Sequence, residues 1–204
     1  MKILCVSDQI DPLIYSESIQ NRYDDVDCIL CAGDLPLDYL DFIASSLNKP
    51  LFFVFGNYHV EGMAKNARKD AGRTHVGSRV RKKNGLIVAG LGGSMRYNQG
   101  ANQFTEAQMF LEALKLIPRM LFHRIFHGRF LDILLTHAPP RGIHDKEDRC
   151  HRGFKAFVWF IEAFKPRFHV HGHIHLYDPL ARRRSRHRET EVVNAFGHMV
   201  IETA

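Results

Sequence analysis

The sequence lacks any apolar run of the roughly 20 residues that a bilayer-spanning helix takes, which excludes a helical membrane span. It has only four cysteines, Cys5, Cys28, Cys31 and Cys150. Cys28 and Cys31 form one C-x-x-C, and no second pair exists to complete a four-thiolate zinc site. That pair lies within DCILCAGD, a short strand-like apolar run in which residues three apart face opposite sides of a sheet. Buried, reduced core cysteines are therefore expected. No internal repeat is present, which excludes a solenoid. The N-terminal stretch has no basic leader and no cleavage pattern, since Met1 runs within a residue into ILCVS. No signal peptide, no membrane partner and a cytoplasmic location are expected.

What is present suits one globular domain spanning residues 1–204, since hydrophobic residues at 45% and charged residues at 25% are ordinary for such a fold. The net charge of +6 permits acidic partners. Much of the excess sits in Arg182, Arg183, Arg184, Arg186 and Arg188, which read first as a solvated hairpin or loop and second as a nucleic-acid patch. No aromatic residue interleaves the run, which weakens single-strand binding. The sequence leaves the oligomeric state open.

The order of elements points to an α/β fold. Strand-like runs cover Lys2–Ser7, Asp27–Ala32 and Leu51–Phe55, with helical patterns over Ser16–Asp24 and from Pro36 to Leu47 between them. Three βα units in a row predict partly parallel strands. Arg79–Lys83 and Leu86–Leu91 form a predicted hairpin around Asn84-Gly85. Residues 90–98, GLGGSMRYN, read as a loop. Thr105 is the predicted cap of a long helix reaching about His127, broken or kinked at Pro118. Leu131–Thr136 is a further strand, Phe154–Phe164 a helix whose Trp159 and neighbouring Phe residues belong to the core, and Glu191–Ala195 with His198–Glu202 a closing antiparallel pair.

The chemistry concentrates at FHVHGHIH, residues 168–175. His173 and His175 are two apart, so an extended backbone aims both the same way, and neutral imidazole is a common metal ligand. Other strand-like runs end in Asp8, Asp34, Asn57 and His137. Binding crevices in α/β sheets lie beyond the carboxyl ends of strands. Turn chemistry explains one Asp or Asn there, but not five chelating termini together. Carboxylate, amide and imidazole ligands suit Mn²⁺, Zn²⁺ or Fe²⁺, and Asp34 can bridge two ions.

Asp8-Gln9-Ile10, Gly33-Asp34, Gly56-Asn57-Tyr58-His59, His137 and Gly172-His173-Ile174-His175 follow the order of the motifs D-x-H, GD, GNH, H and GHxH. In this the chain resembles the calcineurin-like metallophosphoesterases, and LLTHAPPRGIHD, EDRCHRGFKAF and GLGGSMRYN are similar to a bacterial phosphoesterase branch. The resemblance implies a sandwich of two mixed β-sheets flanked by helices. It also implies two divalent ions, Mn²⁺ first and Zn²⁺ or Fe²⁺ as alternatives. Asp8, Asp34 and His175 would hold one ion, and Asp34, Asn57, His137 and His173 the other. The implied activity is hydrolysis of a small phosphate ester, a phosphodiester in preference, by a metal-activated hydroxide at a dinuclear site.

Two positions depart from the pattern. Ile10 replaces a metal-binding histidine, and the adjacent Asp11 is the candidate substitute. Tyr58 replaces the histidine that serves the leaving group, so Tyr58 or a repositioned His59 would take the catalytic role, with activity reduced by both changes. Arg96, Tyr97 and Asn98, in a glycine-rich loop, are read as substrate contacts or equally as a loop fixed by its own hydrogen bonds, with Arg96 and Asn98 the candidate substrate-binding residues. His144, Asp145, Asp148, Arg149 and His151 are read as a rim over the site or a cap for the helix that follows. The alternatives to the enzyme are a catalytically impaired scaffold acting through protein contacts, as in the retromer scaffold subunit, and a nuclease.

Overall fold

The computed structural model describes residues 1–58, 72–178 and 180–203. The first half runs β1 (Lys2–Ser7), α1 (Ile19–Tyr23), β2 (Cys28–Cys31), α2 (Leu37–Leu47), β3 (Leu51–Phe53), β4 (Arg73–His75), β5 (Arg79–Lys83) and β6 (Leu86–Leu91). Then come β7 (Ser94–Met95), β8 (Gln103–Phe104), α3 (Glu106–Leu114), α4 (Ile117–His127), β9 (Ile133–Thr136), α5 (Lys155–Phe164), β10 (Phe168–His171), β11 (Arg184–His187), β12 (Thr190–Asn194) and β13 (Gly197–Glu202).

Two mixed sheets stack face to face. One has the order β13-β1-β2-β3-β4 and the other β11-β12-β10-β9-β6-β5. The inner strands of both are parallel; antiparallel strands close both edges of the second sheet and the β13 edge of the first, whose other edge, β4, is parallel to β3. Parallel strands are covered on both faces, which is why β2, β9 and β10 are buried throughout. The central layer packs Cys5, Leu30, Phe52 and Val54 of the first sheet against Val88, Leu135, Val170 and Val193 of the second. The outer face of the first sheet packs on α1 and α2 through Ile29, Cys31, Ile19 and Ile43. The outer face of the second packs on α3, α4 and α5 through Leu134, Met109, Met120 and Phe157. Cys28 and Cys31 thus enter different layers; both are free thiols, pushed up to about 12 by burial. Among the described residues no helix is long and apolar enough to cross a membrane.

Several boundaries differ from the sequence pattern. The helix after Thr105 is two helices. Thr105 closes a capping box with Gln108, the chain breaks at Lys115–Leu116, and Pro118 sits in the first turn of α4, where its missing N–H costs nothing. Residues 94–95 are a short strand paired with β8 rather than loop. The predicted closing pair does not form. β12 lies between β10 and β11 in the second sheet, and β13 pairs with β1 in the first. Pairing β12 with β13 would have left β1 and β10 each with an open edge.

Candidate metal centre

Asp8, Asp34 and His137 follow β1, β2 and β9, and one ligand atom of each lies within 4.8 Å of the other two. Asn57 follows β3 and completes the group, with its Oδ1 3.0 Å from His137 Nε2. Asp34 Oδ2 lies 3.1 Å from the same nitrogen. His137 Nδ1 donates to the Ala32 carbonyl at 2.8 Å, which leaves the Nε2 lone pair facing the two oxygens. The Asn57 amide is oriented by Nδ2, which donates to the Tyr97 hydroxyl at 3.2 Å.

Three lone-pair atoms thus meet at about hydrogen-bond distance. Such a set needs a proton or a cation at its centre. Burial alone would lower the pKa of His137, but the Asp34 and Asp8 carboxylates and the Ala32 carbonyl raise it to about 9. A divalent cation serves all three atoms at once, and mixed imidazole, carboxylate and amide oxygen is a suitable donor set. These residues therefore fit a metal.

Asp8 and His173 extend the centre. Burial would raise Asp8, but His175 with Nε2 3.8 Å away, His137, Ser7 and the His173 N–H hold it below the ordinary value. The His173 ring lies 4.8 Å from that of His137, centroid to centroid, and its Nε2 donates to the Cys150 carbonyl at 2.8 Å. Burial and the His137 charge lower His173 to about 4, so it stays neutral, as a ligand requires. His175 sits further out. It stacks on Phe196 and its Nδ1 lies 3.0 Å from the Tyr177 hydroxyl.

The motif glycines make room for this crowding. A Cβ on Gly172 would collide with the Ser7 hydroxyl and Asp8 Oδ2, and one on Gly56 with the Asp34 carboxylate. Asp8, Asp34 and His173 all adopt left-handed backbone, at φ 63, 55 and 66°. Strain of that kind gathers where surrounding structure enforces a functional geometry.

The departures from the family pattern have clear structural outcomes. Ile10 is exposed. Asp11 does not fill the ligand gap, since its Oδ2 takes a 2.6 Å hydrogen bond from His198 Nδ1 and its Oδ1 caps Leu13 N. Tyr58 donates its backbone N–H to Asp34 Oδ1 at 3.2 Å while its side chain is 75% exposed. His59 lies outside the described residues.

A cavity of about 710 Å³ has Arg96, Asn98, Arg149, Arg152 and Lys155 among its walls and is tied to the centre by Tyr97, which lines it and accepts from Asn57 Nδ2. Arg96 also braces the loop, donating to Gln103 O and Gln108 Oε1, and Asn98 Oδ1 accepts from Gly100 N and Gln103 Nε2. Of the expected rim, Asp145 is structural: it pairs with Arg141 and accepts from Gly142 N and Gly153 N. Asp148 pairs with His151, whose ring lies 5.4 Å from that of His173. His144 turns away to bond His171 and Ser185. Sequence reasoning missed the orienting roles of Tyr97 and of the Ala32 and Cys150 carbonyls. Only Tyr97, beside Arg96 in a glycine-rich loop, left a signal in the sequence. The arginine run is largely committed elsewhere: Arg184 pairs with Glu191, Arg188 pairs with Glu162, and Arg183 binds the Phe196 and His198 carbonyls.

A family model described as calcineurin-like phosphoesterase matches residues 1–177. No curated protein matches the chain. Among solved structures, TT1561 of Thermus thermophilus is similar at 14% identity and a TM-score of 0.65, over 96% of this chain and 88% of that one. GAP50, the anchor in the inner membrane complex of Plasmodium, is similar at 11% identity and a TM-score of 0.54, over 95% of this chain and 70% of that one. At these identities the likeness is one of fold.

Proposed function

The chain belongs to the calcineurin-like phosphoesterase family, and from that premise we propose that it hydrolyses a phosphodiester at a dinuclear centre that takes Mn²⁺, in the cytoplasm. The observation that carries this reading is the convergence of His137 Nε2, Asp34 Oδ2 and Asn57 Oδ1 beside Asp8 and His173. Divalent ions held there supply an activated water and neutralise charge developing on phosphorus.

The chain's own residues supply the rest. Asp34, between the Asp8 and His137 sides, is suited to bridge two ions. Ala32 and Tyr97 orient His137 and Asn57, and Cys150 orients His173. The exposed Tyr58 phenol is the group on hand to donate a hydrogen bond to the leaving oxygen. A phenol is a poorer general acid than the imidazole it replaces, which favours substrates with good leaving groups. The basic cavity beside the centre gives space and counter-charge, through Arg96, Arg149 and Lys155, to the second arm of a diester.

The test is metal content and kcat/KM on matched mono- and diesters. Mn²⁺-loaded protein retains about two ions per chain after desalting and prefers the diester, and Asp34→Asn and His137→Ala each lose at least about a hundredfold in kcat/KM. Wild-type activity in both variants would refute the assignment.

A further inference from the structure

Residues 113–131, ALKLIPRMLFHRIFHGRFL, carry Lys115, Arg119, Arg124 and Arg129 and no acidic residue. Most of this segment becomes α4, which is anchored by the buried Met120 and His123. At 3.6 residues per turn, Leu121, Ile125, Pro118, Phe122 and Phe126 fill one contiguous arc of about 140°. Every one of them is exposed, Ile125 at 76% and Phe126 at 64%. Arg119 stands at one edge of the arc, with its guanidinium 4.9 Å from the Phe122 ring, and Arg124 stands at the other. Leu111 and Leu114 of α3 are exposed too. A contiguous apolar face of this kind marks an interaction site.

We infer that α4 docks the protein flat on an anionic lipid surface. An apolar arc edged by arginines is the pattern of a helix lying in the headgroup region, where the rings and aliphatic chains enter the acyl boundary and the guanidiniums meet lipid phosphates. The helix has 11 residues, about 16 Å, too short to cross a bilayer. The sequence-based expectation of no membrane partner rests on the lack of a span, and a helix lying on a surface needs none. A second copy of the chain is the poorer occupant, because a two-fold contact through this face would bring the arginines of both copies together.

The test is co-sedimentation of the full chain with phosphatidylcholine vesicles, with and without phosphatidylglycerol, at low salt. Wild type pellets with the anionic vesicles and stays largely in solution with phosphatidylcholine alone. Ile125→Ser/Phe126→Ser weakens binding at least about tenfold, and Arg119→Gln/Arg124→Gln weakens it roughly fivefold per arginine. Ile125, Phe126 and Arg119 are exposed, so the Ile125→Ser/Phe126→Ser variant keeps the wild-type melting curve, while the arginine variant, which loses the Arg124 bond to the Gly128 carbonyl, melts slightly lower. The inference is overturned if wild type ignores both vesicles, if it binds both equally, or if the Ile125/Phe126 variant binds as wild type does. It is also overturned if sedimentation velocity shows a dimer that this variant dissociates, with no binding to vesicles.

Discussion

In the metal-free protein, the proton shared among His137, Asp34 and Asn57 takes the place of a cation, and Asp34→Asn tests that directly. The rise of His137 from 6.5 to about 9 corresponds to about 3 kcal/mol favouring the protonated ring. That gain is net of burial, which acts the other way, and Asp34 is the largest raising cause, so removing its charge lowers His137 sharply. The folded value lies above the unfolded one, so the stabilisation is complete below about 6.5 and fades as pH rises through about 9. Histidine ring ¹⁵N spectra in EDTA near pH 8 should show His137 doubly protonated in wild type and neutral in Asp34→Asn. Urea melts should show the two proteins about 3 kcal/mol apart near pH 6, converging near pH 10. Metal uptake must expel the same proton, so binding releases acid and tightens as pH rises toward about 9. A neutral His137 in wild type near pH 8, or a stability gap independent of pH, would refute the reasoning.

Three further outcomes follow from the same geometry. Gly172→Ala drives a methyl group into Ser7 and Asp8; it should cost about 1–3 kcal/mol in a thermal melt and abolish metal retention, and an unchanged melt with full metal content would contradict the crowding. Tyr97→Phe frees the Asn57 amide and should weaken metal binding about tenfold by competition with a chelator, with stability little changed. Burial lowers His144 to about 4 and His169 well below 6.5. The folded values lie below the unfolded one, so stability is full above about 6.5 and falls with acid, by about 1.4 kcal/mol per pH step for His169 and less for the partly exposed His144. Urea melts at about pH 7 and about pH 5 read this, and a flat profile would exclude neutral burial.

The legible parts of the chain were those where local pattern and long-range placement agree. β1, β2, β3, β9 and β10 are short apolar parallel strands, and each ends in a side chain with a ligand atom, so Asp8, Asp34, Asn57, His137 and His173 could be named before their meeting was seen. Asn84-Gly85 marked its hairpin because both residues take positive φ. The fate of β12 and β13 was hidden because alternation fixes which face a strand buries but not which edge it joins. Asp11 read as a spare ligand because its partner, His198, lies 187 residues away. The Ala32 and Cys150 carbonyls are backbone atoms, whose roles no side-chain motif encodes.

The centre is also a seam. Asp8, Asp34 and Asn57 leave strands of one sheet, while His137 and His173 leave strands of the other. A cation gripped by both sets would rivet the two slabs along a margin where the His137–Ala32 and His173–Asp8 hydrogen bonds already cross between them. Chelation should then do more than silence chemistry. It should let the slabs slip at this edge first, so that amide exchange quickens at the ends of β2, β9 and β10 before the outer helices loosen.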